Sequence, residues 1–101
     1  MYLKIHGKDG KKTVAVCDCE LLGRVLFGNG MKLDLKKYAG FYKGEKTQDA
    51  ALIADALLNA DSANLVGERC IKIALEKGFA SEENVMHIGG VPHLQIYRFS
   101  P

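Results

Sequence analysis

The run Ile88-Gly89-Gly90-Val91-Pro92-His93 concentrates residues able to shape a site. Paired glycines permit positive φ or close backbone approach, Pro92 fixes its own φ, and Val91 before it is biased to extended geometry. Backbone N–H groups at such a turn can converge on an anion, with His93 delivered at the start of a strand. The plainer reading is a tight hairpin turn whose glycines serve geometry alone. Cys17 and Cys19 with His6, His87 and His93 supply five soft or borderline ligands. The paired C-x-x-C spacing of a zinc site is absent, so neither a metal nor another cofactor is expected. A Cys–His nucleophilic pair needs a thiol beside an imidazole and an orienting acid, and the sequence brings none of these together. No carboxylate pair, phosphate loop or dinucleotide fingerprint is present. No catalytic residue is assigned, and whether the chain is an enzyme stays open.

Strand periodicity gives a second constellation. Tyr2, Lys4 and His6 alternate with Leu3 and Ile5, and His93, Gln95, Tyr97 and Phe99 alternate with Leu94 and Ile96. Terminal strands often neighbour each other in small α+β sheets. If these two do, one face carries Tyr2, Lys4, His6, His93, Gln95 and Tyr97. Rings, cations and amides in that mixture make a single-stranded RNA platform, since bases stack on aromatics while cations meet phosphates. An ordinary solvated sheet face has the same pattern.

The elements that must position these groups follow from the same periodicities. Residues 2–6 and 13–17 read as an N-terminal hairpin around Gly7-Lys8-Asp9-Gly10. Residues 20–27 are apolar without clean alternation and read as a short helical turn, and Gly28-Asn29-Gly30 breaks the chain. Met31, Leu33 and Leu35 mark a third strand, and residues 37–46 a loop or weak edge strand. Thr47 as N-cap and Asp49 in the first turn open a helix over residues 47–58. After an interruption at residues 59–62, recapped by Asp61 or Ser62, a second helix buries Val66, Cys70, Ile73 and Ala74 and ends at Lys77-Gly78. Gly67 then lies inside that helix, where something must pack closely against it. Asn64 near its start could cap, support the glycine turn or contact a ligand. Glu68, Lys72 and Glu76 form a solvated row. Residues 81–84 read as a turn or single helical loop, residues 85–88 as a short strand, and residues 93–99 as the last. Strands, a helical pair, then strands give an α+β fold: one domain over residues 1–101, a mostly antiparallel sheet with the helices on one face.

Bulk properties agree with one globular domain. The chain has 101 residues, 48% hydrophobic and 26% charged, enough for a single core without staples. The opening residues alternate, and no apolar run approaches the ~18 residues of a membrane span. Three cysteines, two of them one residue apart, make no disulfide framework. A cytoplasmic location with no membrane association is expected. The net charge is +2, yet residues 1–46 carry ten Lys/Arg against five Asp/Glu while residues 47–101 carry four against seven. Such polarisation gives a basic and an acidic region if folding keeps the halves apart.

The segments Ala63-Asn64-Leu65-Val66-Gly67-Glu68-Arg69 and residues 83–96, which hold the Gly-Gly-Val-Pro-His run, carry a likeness together with Met1-Tyr2-Leu3-Lys4-Ile5. On them the chain resembles a family of small archaeal proteins known only as a domain of unknown function. The resemblance spans nearly the whole chain. It implies an archaeal, cytoplasmic, single-domain protein and no activity.

The leading expectation is a non-enzymatic binding module for RNA or a ribonucleoprotein, using the face of Tyr2, Lys4, His6, His93, Gln95 and Tyr97 and the basic half. The alternative is a small enzyme or ligand-binding protein with its site at Gly89, Gly90 and His93, with His87 and Asn64 near it. A third reading is a protein partner docked on the apolar 21–27 stretch, which requires an exposed patch there. The oligomeric state is not legible.

Overall fold

The computed structural model describes residues 1–98; Phe99, placed above on the last strand, lies outside them. Its centre is a six-stranded sheet built from β1 (Tyr2–Lys8), β2 (Lys11–Cys17), β5 (Glu45–Lys46), β6 (Ser62–Val66), β7 (Met86–Ile88) and β8 (Val91–Tyr97). The strand order is β5-β1-β2-β6-β8-β7, and β3 (Val25–Gly28) with β4 (Met31–Asp34) forms a separate hairpin. All pairs are antiparallel except β2 with β6, which run parallel. The helices are α1 (Ala39–Tyr42), α2 (Ala50–Leu58) and α3 (Glu68–Glu76). The fold is α+β, with the α2–α3 pair packed on one sheet face.

Alternation in each strand sends the two sets of side chains to two cores. Leu3, Val14, Val16, Ala63, Leu65 and Leu94 meet Ile53 and Leu57 of α2 and Cys70 and Ala74 of α3. Ala15, Cys17, Val66 and Ile88 point the other way, under Leu21, Leu26, Leu35 and Tyr42. The 18–44 segment, which holds the β3–β4 hairpin and α1, therefore covers part of the face opposite the helices.

Several boundaries differ from the sequence reading. Residues 62–66 are the central strand β6, not the beginning of the second helix, and that strand pairs in parallel with the distant β2. Gly67 is the residue before α3, with φ 115° and ψ 155°, so it lies outside the helix. Asp49, not Thr47, caps α2, its carboxylate accepting from the N–H of Ala51 and Leu52; Thr47 Oγ1 accepts from Asp49 N–H one step earlier. Residues 20–27 divide into a single 3₁₀ turn, Cys19–Leu21, and β3. Leu21 and Leu26 are buried there while Val25 and Phe27 are exposed. The weak edge strand expected in residues 37–46 is β5, two residues long and preceded by α1.

Candidate functional site

The sheet face opposite α2 and α3 is built of cross-strand rows. His6 pairs with Thr13, Thr13 with Ser62 and Ser62 with Tyr97, so these four side chains lie abreast across β1, β2, β6 and β8. The next row holds Lys4, Ala15, Asn64 and Gln95, and the third Tyr2, Cys17, Val66, His93 and Met86. The terminal strands β1 and β8 are not neighbours, as β2 and β6 separate them. Because strands in register share their alternation, Tyr2, Lys4, His6, His93, Gln95 and Tyr97 still occupy one face.

In its first two rows that face is exposed at Gln95 and Tyr97 and half-buried at Lys4, His6, Thr13, Ser62 and Asn64, while Ala15 is covered. Tyr97 is 64% exposed, Gln95 Nε2 donates to Asn64 Oδ1 at 3.2 Å, and the Thr13 and Ser62 hydroxyls are hydrogen-bonded at 2.8 Å. At the β1 end, α1 leans on the sheet. Lys4 Nζ donates to the Gly40 carbonyl at 2.7 Å, and His6 stacks on Phe41 with centroids 4.5 Å apart. His6 Nε2 also donates to the Phe41 carbonyl at 2.8 Å. Beside this stack lies a shallow groove of about 650 Å³ lined by His6, Lys8, Asp9, Lys11, Thr13 and Phe41. Sequence reasoning passed over Thr13, Ser62, Phe41, Lys8 and Lys11. Thr13 was legible from β2's alternation, whereas Ser62 was hidden by the helical reading of its strand.

Gly89 and Gly90, with φ 59° and 79°, form the two-residue turn between β7 and β8, as a type I′ hairpin requires. The turn also holds the β3–β4 hairpin: a Cβ on Gly28 would collide with the Gly89 nitrogen, and Asn29 Nδ2 donates to the His87 carbonyl at 2.9 Å. The two segments that carried the family likeness meet here. Gly67 N–H donates to Pro92 O at 3.0 Å, and His93 Nδ1 donates to Leu65 O at 3.0 Å. At the same junction Asp18, 2% exposed, accepts from Arg69 N–H at 2.9 Å and Cys70 N–H at 3.2 Å. That carboxylate occupies the start of α3. A small cleft of about 320 Å³ opens beside it between Arg24, Gly67, Glu68, Gly90 and Pro92. His93 does not line it; at 5% exposure it is buried within the third row.

Burial holds the His93 pKa below the usual imidazole value, opposed in part by the bond to Leu65 O. The unfolded chain therefore takes up this proton at a higher pH than the folded one, and stability falls as pH drops below about 6.5. His93→Asn keeps a donor near Leu65 O but cannot titrate. The thermal midpoint of the wild type should therefore fall relative to this variant between about pH 7.5 and 5.5. Parallel midpoint curves would remove the assignment of His93 as a buried neutral group.

Burial pushes the Cys17 thiol up to about 12 and raises Cys70 well above its ordinary value. Both stay protonated at neutral pH, which makes them poor nucleophiles. Among the described residues no three His, Cys, Asp or Glu side chains gather around a common point suited to a metal ion. No helix among them is long and apolar enough to cross a membrane.

A family model described as "Protein of unknown function (DUF424)" matches residues 6–99. The chain belongs to this family. A DUF424 assignment covers both segments that meet at Gly67 and Pro92 and every row of the open face except Tyr2 and Lys4 at its edge. Among solved structures, the chain is similar to an uncharacterized conserved protein from Methanopyrus kandleri, at 30% identity and a TM-score of 0.77. The likeness covers 99% of this chain and 94% of that one. No curated protein matches it.

Proposed function

We propose that this DUF424 protein is a binding module whose sheet face opposite α2 and α3 takes up single-stranded RNA. The observation that carries the reading is the His6–Thr13–Ser62–Tyr97 row. It has a stacked ring pair at one end and an exposed tyrosine at the other. Three inter-strand spacings separate those ends, about 14 Å, a span suited to two or three unstacked nucleotides. Tyr97 and the Phe41–His6 pair offer ring surfaces for bases, and the hydroxyls and amides between them offer donors and acceptors for base edges and 2′-OH groups. Lys8 and Lys11 at the end of the β1–β2 hairpin face the phosphates.

Fluorescence anisotropy of labelled single-stranded RNA at two salt concentrations tests this. Tyr97→Ala removes one stacking platform and should weaken binding roughly 5- to 100-fold. Lys8→Gln with Lys11→Gln should lower the slope of log affinity against log salt by about 1.4. Binding that ignores salt, or that survives Tyr97→Ala unchanged, would remove the proposal.

A further inference from the structure

On the other side of the sheet, a groove of about 590 Å³ runs between α3 and residues 82–92. Its floor is apolar, made by Ile71 and Leu75 of α3, Val85 before β7, and Pro92 of β8. Its rim is acidic. Lys72 is paired with Glu76 at 3.9 Å, which neutralises the rim's lysine. Glu68 and Glu82 have no ion-pair partner among the described residues. This is the acidic half of the chain, and phosphate would be repelled from it.

We infer that this groove docks a basic segment of a partner protein, one apolar anchor seated on Ile71, Leu75 and Pro92 and flanking Lys or Arg side chains meeting Glu68 and Glu82. Charge complementarity selects the occupant, since an apolar floor between two unpaired carboxylates favours an apolar residue bracketed by cations. Pro92 and His93 are consecutive on β8, so the groove and the third row of the open face lie back to back across one strand. An RNA on one face and a basic protein on the other would not compete. The inference does not depend on RNA binding, as no residue is shared between the two surfaces.

The test uses a fluorescein-labelled peptide of roughly 12 residues with a central Leu pair flanked by Arg, and its counterpart with Glu for Arg. The basic peptide should bind at least about tenfold tighter than the acidic one. Glu68→Gln with Glu82→Gln, both exposed positions, should remove most of that preference while leaving the circular dichroism spectrum unchanged and RNA affinity within about twofold. Equal affinity for both peptides, no binding of the basic peptide at millimolar concentration, or indifference to the double substitution would overturn it. A concentration-dependent dimer in sedimentation that the double substitution dissolves would also overturn it, assigning the groove to a second copy of the chain.

Discussion

Gly67→Ala should destabilise the protein by about 3–5 kcal/mol, enough to remove much of a small domain's stability. Two independent costs combine. At φ 115° and ψ 155° the backbone occupies a region that only glycine enters freely. A Cβ at that position would also overlap the Asp18 side chain, which cannot withdraw without releasing the N–H groups of Arg69 and Cys70. Urea denaturation followed by circular dichroism measures the loss. A cost under about 1 kcal/mol would show that the junction relaxes freely.

Asp18→Ala should cost about 2–4 kcal/mol, because it orphans two N–H groups at the start of α3 and leaves a hole at a site 2% exposed. Asp18→Asn should fall between, since its one carbonyl oxygen can accept while its amide turns a donor towards the other N–H. In the double variant Gly67→Ala with Asp18→Ala the overlap with the carboxyl group disappears, and only the 2.6 Å contact with the residue-18 Cβ remains. The two costs should therefore sum to more than the double variant loses, with a coupling of about 1 kcal/mol or more. Strict additivity would mean that the overlap with the carboxyl group adds nothing to the cost of Gly67→Ala.

Much of this architecture was legible because its signals are local. The β1–β2 hairpin announced itself by alternation and turn chemistry, and α2 by apolar spacing. The grouping of Tyr2, Lys4, His6, His93, Gln95 and Tyr97 on one face needed only strand parity, so it survived the separation of β1 from β8 by two strands. β6 was hidden for a physical reason. Val66, Cys70, Ile73 and Ala74 keep helical spacing across the strand–helix junction, and Ala63 and Leu65 alone are too short an alternation to break that pattern. Its partner β2 lies 49 residues away at Thr13 and Ser62, and parallel pairing at that distance leaves no local trace. Gly67 was visible as a position of close packing, yet only the fold shows that Asp18 is what packs there. The burial of His93 was equally non-local, because it depends on the row it enters between β6 and β7 and on the segment laid over that face.

The sheet face opposite α2 and α3 is the surface proposed to bind. Amide chemical-shift mapping of the isotopically labelled protein with a short single-stranded RNA tests it most directly. Perturbations concentrated on His6, Lys8, Thr13, Ser62, Asn64, Gln95 and Tyr97 are the predicted result. Perturbations confined to α2 and α3, or none at saturating RNA and low salt, would contradict it.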